Sequence, residues 1–329
     1  MSLSKPIRYR GESSFLSNLH AANITLNGKT YSSVEQIYQI TKAKCAEDYN
    51  LVVKLSSESS GMACKKLSRQ LSPKIPAFNK KWDSVKEQCM LRLNYEKFNQ
   101  NPSLFEKLLN TNQRILLEDT SDKFWADANG RGRNTTGRLL MQIRILLSDC
   151  NPVALHQNVA VGDSLLAGVA NWVPSASVLT IRGGSRHFVT AVASVVAGPY
   201  TKKLLILAGT NDLVTKDGIL HPATLIVKKL VKWGNVYAAA NQHQTIILCT
   251  LLPRPCNAHT RVDHAITIFQ MKLLAARASD ILLPNVQILD LTTIFHDEKL
   301  YASDRLHLSV AGNQKLAAIL ETTFKTPCI

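Results

Sequence analysis

The sequence lacks the marks of a membrane-spanning, secreted or metal-binding chain. Its apolar runs are short, as at residues 189–198 and 245–253, and none approaches the roughly 20 residues that cross a bilayer. The first 14 residues contain no apolar core of a secretory signal. The seven cysteines form no Cys-x-x-Cys pair, so neither a zinc site nor a disulfide framework is expected. We expect a protein of a reducing compartment, cytoplasmic or alternatively nuclear.

Glycine and proline are also few, at 15 and 12 of 329 residues, which excludes a collagen-like or Pro/Gly-rich disordered chain. Acidic residues are outnumbered by basic ones, 24 against 39, which gives a net charge of +15. No basic run reaches four residues. The charge favours phosphate-bearing partners, either nucleic acid or a nucleotide, and an ordinary basic surface is the alternative. No membrane partner is expected.

The length suggests two domains, and the composition of the chain changes between residues 148 and 158. Before this point an apolar stripe typical of a helix runs through residues 139–147. The stop signal Asp149-Cys150-Asn151-Pro152 follows it. We predict a first domain at residues 1–150 and a second domain at residues 157–329.

The two halves predict different secondary structure. In the second half, short apolar runs typical of buried parallel strands alternate with helical segments. The runs lie at residues 159–161, 178–181, 204–208, 246–251 and 286–289, and the clearest helices at 259–278 and 308–323. The first half predicts helices at 32–45, 83–99 and from 101, with strands only at 23–26 and 115–118. The first domain is therefore predicted to be mostly α (α+β) and the second α/β.

Three polar residues of the first predicted helix share one face. Glu35, Gln39 and Lys42 follow one another at i, i+4 and i+7, behind the capping-box pattern Ser32-Ser33-Val34-Glu35. A carboxylate and an amine on one face of a cleft could supply an acid/base and a nucleophile. Equally, Glu35 could serve the helix cap and Lys42 could be a solvated surface lysine, so the spacing leaves both interpretations open.

An aromatic residue lies between two acids further along this half, in the segment Asp122-Lys123-Phe124-Trp125-Ala126-Asp127. The glycine-rich basic loop Gly130-Arg131-Gly132-Arg133 follows it. The Trp125 ring could stack on a flat base while the loop holds phosphate. An ordinary polar loop with one aromatic anchor is the alternative.

In order and spacing, these segments resemble the NADAR (YbiA-like) family over residues 8–148. The resemblance is carried by Phe15-Leu16-Ser17-Asn18, Tyr31 to Gln39, Lys42-Ala43, Trp82 to Lys86, Met90, Lys97-Phe98, Leu108-Leu109, Thr111, Glu118, Asp122-x-x-Trp125 and Gly132-x-Asn134-x-x-Gly137-x-x-Leu140-Met141-x-x-Arg144. It implies a mostly α fold that cleaves N-glycosidic bonds at ribose. The implied substrates are phosphorylated riboflavin-pathway intermediates or ADP-ribose attached to guanine in nucleic acid.

The resemblance also implies roles for particular residues. Glu35 would move protons, and Lys42 would attack C1 of the opened ribose to form a Schiff base, which requires a neutral, desolvated amine. Trp125 would stack on the substrate, and Asn18 would line the pocket. The implied catalytic residues of this domain are Glu35, Lys42, Asp122, Trp125 and Asp127.

The chain departs from the family pattern close to this pocket. Ala126 stands where the family usually has glycine, and Thr135 and Thr136 replace a bulky residue and a leucine. These changes leave the chemistry plausible, but they leave the loop conformation and the choice of substrate open.

A second group of chemically capable residues occurs at predicted strand ends in the other half. Gly162-Asp163-Ser164 follows a strand, and a serine on such a sharp turn exposes its Oγ, as a nucleophile requires. Asp304 precedes His307 by three residues and can orient an imidazole that deprotonates a serine. The amide of Asn211 and the backbone N–H of Gly183 are candidate oxyanion donors. Each motif alone is common as a turn or a cap, but together they would meet at the carboxyl edge of one sheet.

Over residues 157–325 this arrangement resembles the SGNH (GDSL) hydrolase family. The matching blocks are Gly162-Asp163-Ser164-Leu165, Arg182-Gly183-Gly184-Ser185, Gly209-Thr210-Asn211-Asp212 and Asp304-Arg305-Leu306-His307. The resemblance implies a flavodoxin-like three-layer αβα fold, serine esterase chemistry and no metal or cofactor. It makes Ser164 the nucleophile, His307 the base and Asp304 its orienter. The implied oxyanion hole comprises the N–H groups of Ser164 and Gly183 and the Asn211 amide.

One position departs from this second pattern, since Arg186 stands where a glycine is usual. The domain is also short, so we expect a minimal substrate lid, and the ester substrate is left open.

The sequence thus favours a hydrolase with two activities, an N-glycosidase followed by a serine esterase. In an alternative hypothesis, one or both pockets bind ADP-ribose or nucleic acid without turnover, and the basic charge supplies the affinity. In a third, one domain only positions the other. Five intact chemical residues favour the first hypothesis, because a pocket that only binds does not require all of them: Glu35, Lys42, Ser164, Asp304 and His307.

Overall fold

In the computed structural model the chain forms two compact units, residues 1–154 and 155–329. The structure describes residues 5–148, 157–198, 201–213, 221–253, 261–279 and 281–326. The predicted stop signal at 149–152 lies outside these ranges. Within them, no helix combines the length and the apolar character that crossing a membrane requires.

The first unit is mostly helical and carries two small sheets. Its helices are α1 (Val34–Cys45), α2 (Tyr49–Ser56), α3 (Gly61–Leu67), α4 (Phe78–Asp83), α5 (Lys86–Asn99), α6 (Pro102–Leu109) and α7 (Thr135–Ser148). β1 (Ile7–Tyr9) pairs in parallel with β4 (Leu116–Glu118), and β2 (Ile24–Leu26) pairs antiparallel with β3 (Lys29–Tyr31). Asn27 and Gly28 join β2 to β3 with positive φ at both positions, as a tight hairpin turn requires.

The capping box of α1 lies one residue later than the sequence suggests. Ser33 is the N-cap, and its Oγ accepts a hydrogen bond from the Gln36 N–H at 3.2 Å. The Gln36 side chain reaches back, and its Oε1 accepts from the Ser32 N–H at 2.8 Å. The interpretation of Glu35 as the capping residue is therefore wrong, and its carboxylate is not used by the cap.

The predicted helix at 83–99 is divided between two elements, since α4 ends at Asp83 and α5 begins at Lys86. Lys97 of α5 is fully buried, and its Nζ donates to the carbonyl oxygens of Phe15 and Ser17, both at 2.7 Å. These bonds hold the segment that leads to Asn18 against the helix.

The second unit is built on a parallel sheet. Its strands are β5 (Asn158–Gly162), β6 (Ser177–Thr180), β7 (Lys203–Leu207), β8 (Thr245–Cys249) and β9 (Val286–Leu289), in the order β6-β5-β7-β8-β9. Its helices are α8 (Arg186–Val196), α9 (Thr210–Leu213), α10 (Ala223–Ala240), α11 (Arg261–Ala278) and α12 (Val310–Lys325). The prediction of five parallel strands and of an α/β unit is confirmed.

Helices cover both faces of this sheet. Leu316 of α12 packs in one apolar core with Ile247 of β8. Gly234 of α10 lies so close to Leu248 that an added Cβ would meet its Cδ1 at 3.2 Å. Because neighbouring strand residues point to opposite faces, α12 and α10 lie on opposite sides. The finer assignment to a flavodoxin-like SGNH arrangement stays a prediction.

Candidate active sites

Glu35 lies in the first turn of α1 and is buried, with 7% of its surface exposed. Its backbone N–H donates to the Asn18 carbonyl at 3.0 Å, and its Oε1 accepts from Gln39 Nε2 at 2.8 Å. Burial raises the pKa of Glu35, and the Gln39 hydrogen bond and the charges of Lys65 and Lys42 only partly offset this rise. The carboxyl therefore holds its proton to a higher pH than an ordinary glutamate, which suits a general acid.

Lys42 follows two turns later on α1 and is half-buried. Burial lowers the pKa of its amine, and the charge of Lys86 lowers it further, while Asp83 and Glu35 oppose the shift. A larger fraction of the amine is therefore neutral than for a solvated lysine, and only the neutral amine is a nucleophile.

Trp125 packs against the same helix through Tyr38, which lies between Glu35 and Lys42 in sequence. The Tyr38 and Trp125 rings meet edge to face, with their centroids 5.9 Å apart. Trp125 is partly exposed, and Phe124 contacts its ring at 4.8 Å between centroids. The structure thus brings Trp125 beside the helix that carries the predicted acid and nucleophile, with part of its ring available for stacking.

The two predicted catalytic aspartates flank Trp125 and make local contacts. Asp122 is exposed, and its Oδ1 accepts from the N–H groups of Phe124 and Trp125, both at 2.8 Å. Asp127 is buried, and its Oδ2 accepts from Arg8 Nη1 and from the Gly130 N–H, both at 3.1 Å. Both carboxylates thereby hold the loop that presents Trp125, and their catalytic roles stay predictions.

Asn18 is buried beside Glu35, to which it is joined by the backbone hydrogen bond already described. Its Oδ1 accepts from Asn94 Nδ2 at 2.9 Å. Lys97, one turn further along α5, anchors the residues just before it. The predicted pocket residue is therefore held from two sides.

Glu118, at the end of β4, is a further titratable residue close enough to Glu35 to be affected by its charge, and we assigned it no role from the sequence. Burial raises its pKa, a hydrogen bond from Thr136 and the charge of Lys65 lower it, and the charges of Asp122 and Glu35 raise it further. Glu118 is partly buried, the charge of Glu35 acts on it, and Lys65 acts on both carboxyls. Its place in the quoted NADAR pattern was the available signal.

The second unit contains a cavity of about 580 Å³ at the carboxyl edge of the sheet. Four of the five residues predicted for its site lie in the lining, and Asp304 reaches it through His307. The lining comprises Ser164, Leu165, Ala167, Gly168, Arg182, Gly183, Asn211, Leu306, His307, Leu308 and Asn313. Arg182, Leu306 and Asn313 are cavity residues to which the sequence analysis assigned no role.

The Asp304–His307 pair is assembled. Nδ1 of His307 lies 2.6 Å from Asp304 Oδ2, and Asp304 Oδ1 accepts from the N–H groups of Leu306 and His307, both at 2.9 Å. These hydrogen bonds, the one with the His307 ring first, hold the pKa of Asp304 well below its usual range. An ionised Asp304 holds the ring so that Nε2 can act as a base.

Ser164 opens a single-turn 3-10 helix, Ser164–Leu166, directly after β5. Asp163 caps this turn, because its Oδ1 accepts from the Leu165 N–H at 3.1 Å. Ser164 and His307 line the same cavity, but no hydrogen bond joins the two side chains in the part of the chain that the structure describes. Such contacts are often long without a substrate and tighten when one binds.

The predicted oxyanion donors line the same cavity. Gly183 has a φ of +63°, a conformation that favours glycine, and it lies in the loop between β6 and α8. Asn211 Nδ2 donates one hydrogen bond to the Gly184 carbonyl at 3.1 Å, which leaves the second amide hydrogen for a substrate. Arg186, at the position where the family pattern has glycine, is buried, and its N–H donates to Asp212 Oδ2 at 2.5 Å. It therefore joins the second block to the third without entering the lining of the cavity.

Among the described residues, no group of three His, Cys, Asp or Glu side chains is arranged to hold a metal ion. The four described cysteines, Cys45, Cys64, Cys89 and Cys249, are free and buried.

Comparison with known proteins bears mainly on the first unit. A family model described as the NADAR domain matches residues 8–148. An N-glycosidase YbiA of Shigella boydii is 36% identical over 133 residues, which are 39% of this chain and 78% of that protein. A riboflavin biosynthesis protein of Vibrio vulnificus is 32% identical over 145 residues, 44% of this chain and 38% of that protein.

Among solved structures, a GDSL-like lipase of Bacteroides thetaiotaomicron is 16% identical and covers 55% of this chain and 96% of its own, with a TM-score of 0.42.

Proposed function

The chain belongs to the NADAR family, and we propose that its first unit cleaves an N-glycosidic bond at a ribose. The observation that carries the proposal is the face of α1, where Glu35, with a raised pKa, and Lys42, with a lowered pKa, lie two turns apart. The similarity to an N-glycosidase YbiA supports the same reaction.

In the proposed reaction, the ribose ring first opens, so that the ring oxygen takes the proton of the base nitrogen and C1 becomes doubly bonded to that nitrogen. The neutral Lys42 amine adds to C1, and its two protons pass to the base nitrogen with Glu35 as the carrier. The bond from C1 to the base nitrogen then breaks as C1 becomes doubly bonded to the Lys42 nitrogen. The ribose is then held on Lys42 as a Schiff base, which water hydrolyses to the free sugar aldehyde and the free amine. Stacking on Trp125 would hold the flat base while its bond breaks.

Two substrates fit this reaction, ADP-ribose attached to guanine in nucleic acid and phosphorylated riboflavin-pathway intermediates. Similarity to a riboflavin biosynthesis protein supports the second. The first unit carries 23 basic and 14 acidic residues within positions 1–150, which supports a phosphate-bearing substrate of either kind.

For the second unit, we propose serine esterase chemistry at the cavity. Ser164 attacks the ester carbonyl carbon, and His307 takes the hydroxyl proton and passes it to the leaving alcohol. The developing oxyanion is held by Gly183 N–H, Ser164 N–H and the Asn211 amide, each of which is worth about 3 kcal/mol in comparable enzymes. Water then releases the acyl group from Ser164 by the reverse sequence of proton transfers.

The deciding experiment incubates the full chain with a guanine-ADP-ribosylated oligonucleotide and, separately, with phosphorylated riboflavin-pathway intermediates, and follows the released sugar by mass spectrometry. Glu35→Gln should slow release about 10²-fold or more, as expected for loss of a general acid. Glu87→Gln, the same charge change at an exposed position of α5, is the matched control and should not slow it.

Binding of these substrates without release of sugar by the wild type would instead favour the non-catalytic binding module. Equal rates for Glu35→Gln and the wild type would remove Glu35 from the proposed chemistry.

A further inference from the structure

The cavity of the second unit contains an arginine that the proposed esterase reaction does not use. Arg182 follows β6 by two residues and lines the cavity directly beside Gly183, the proposed oxyanion donor. Of the lining residues within the described ranges, Arg182 alone carries a permanent charge, and none is acidic.

Nothing in the described ranges of the chain gives Arg182 a structural role. It is exposed and forms no ion pair there. Nearby arginines differ, since Arg305 pairs with Glu298 and Arg186 is buried with its Nη2 2.6 Å from His187 Nε2. Arg182 therefore lines the cavity with a guanidinium that has no ion-pair partner in the described ranges.

A guanidinium group offers a planar fork of donors that matches a carboxylate or a phosphate and binds it in two hydrogen bonds. We propose that the second unit selects esters carrying an anionic group, carboxylate or phosphate, that Arg182 binds while the ester carbonyl lies against Gly183 N–H. The inference rests on the proposed esterase function. It makes Arg182 a specificity-determining residue, because the anion is remote from the bond that breaks.

The test compares two pairs of esters whose members differ by one anionic group. The first pair, 4-nitrophenyl hemiglutarate and 4-nitrophenyl butyrate, places a carboxylate on the acyl group. The second pair, the acetate esters of glycerol 3-phosphate and of glycerol, places a phosphate on the alcohol. For one of the two pairs, the wild type should have a higher kcat/KM for the charged ester than for the neutral one. That pair identifies whether the anion is a carboxylate on the acyl group or a phosphate on the alcohol.

Arg182→Gln should reduce that preference about tenfold, and Arg182→Lys should restore part of it because it keeps the charge. Arg277→Gln removes the same charge from an exposed position of α11 outside the cavity lining, and it should leave the preference unchanged. As a second readout, free glutarate or glycerol 3-phosphate should inhibit hydrolysis of the neutral ester in the wild type and about tenfold more weakly in Arg182→Gln.

The possible outcomes distinguish anion selection by Arg182 from the proposed esterase activity itself. A wild type that hydrolyses neutral esters through Ser164 but shows no preference for either charged ester overturns the inference alone. An equal loss of preference in Arg277→Gln would also overturn it, since the effect would then come from net charge. Failure to hydrolyse any of the four esters overturns the proposed esterase and this inference together.

Discussion

Lys42 is the residue whose chemistry is most directly testable. If it forms a Schiff base, borohydride added during turnover should reduce the imine and leave the sugar covalently attached to the protein, visible by mass spectrometry. Lys42→Ala should give no adduct. Lys44→Ala is the matched control, because Lys44 lies on the same helix with an exposed side chain and its loss should not prevent trapping.

An adduct that persists in Lys42→Ala would place the nucleophile elsewhere. If the wild type releases sugar but gives no adduct, the reaction runs instead by general acid/base chemistry at Glu35 with water as the nucleophile.

Ser164 is the corresponding residue of the second unit. Ser164→Ala should lower the hydrolysis of short 4-nitrophenyl esters by at least about 10³-fold. Ser164 is the hydroxyl residue in the described lining of the cavity, which it shares with a histidine held by an aspartate. Glycosidic cleavage by the first unit should be unchanged, because Ser164 lies in the other unit. Ser279→Ala, a serine outside the cavity lining, should retain full esterase activity. Equal esterase rates in Ser164→Ala and the wild type would show that the site is misassigned.

At the scale of elements, the sequence was most informative where an element has its own apolar pattern. β7 and β8 were predictable as strands because every residue in each is buried, which gives near-continuous apolar runs, and α1 was predictable as a helix because it has an N-cap and a helical period. β1 was not predicted, since its three residues pair with β4 more than 100 positions away and carry no local signal.

The candidate sites were predictable where local patterns place residues together, and they were not predictable where distant segments meet. Residues that follow parallel strands share one edge of the sheet, so Ser164, Gly183 and Asn211 could be brought together from their order alone. The contacts of Asp127 with Arg8, and the repulsion between Glu35 and Glu118, depend on distant segments meeting. No spacing within the sequence reveals such contacts.

We expect Lys97 of α5 to make the stability of the first unit depend on pH. Burial lowers the pKa of Lys97 to about 7, against an ordinary value of about 10.4 in the unfolded chain. Between the folded and unfolded pKa values of Lys97, the unfolded chain binds the proton and the folded chain does not. The free energy of unfolding therefore rises as pH increases above about 7, and it falls again as pH is lowered towards 7. The slope from this group is at most about 1.4 kcal/mol per pH unit.

Hydrogen exchange of the α5 amides in the intact chain between pH 7 and 8.5, corrected for the intrinsic exchange rate, measures this slope. Lys97→Met, which keeps the apolar stem and removes the amine, should show a flatter dependence even if its stability is lower throughout. The same slope in both proteins would mean that Lys97 does not titrate in this range.

At the scale of the whole molecule, both halves carry excess positive charge, +9 over residues 1–150 and +6 over the remainder. Long-range attraction of this kind acts on substrates that make many phosphate contacts. If nucleic acid is the substrate of the first unit, its cleavage rate should fall steeply as salt rises past about 0.15 M, where the Debye length is about 8 Å. A free nucleotide makes fewer contacts and should show a shallower dependence, so equal slopes for the two would exclude nucleic acid as the preferred substrate.

The same charge motivates a proposal for why the two units share a chain. A glycosidic bond and an ester bond are two ways in which ADP-ribose and its acyl derivatives are held, so the first unit would cut the base–ribose bond and the second would remove an acyl group from a related product. Cleaving the chain near residue 151 should then slow the combined conversion of a doubly modified substrate while leaving each single reaction active, because the product must diffuse between separated halves. The cooperation would be contradicted if cleavage of the chain left the combined rate unchanged and the second unit hydrolysed none of the ADP-ribose esters tested. The protein would then be a fusion of two independent hydrolases. As a control, the two halves are mixed at increasing concentration. If the units cooperate, the combined conversion rate should recover only at high concentration, where diffusion between the halves is fast.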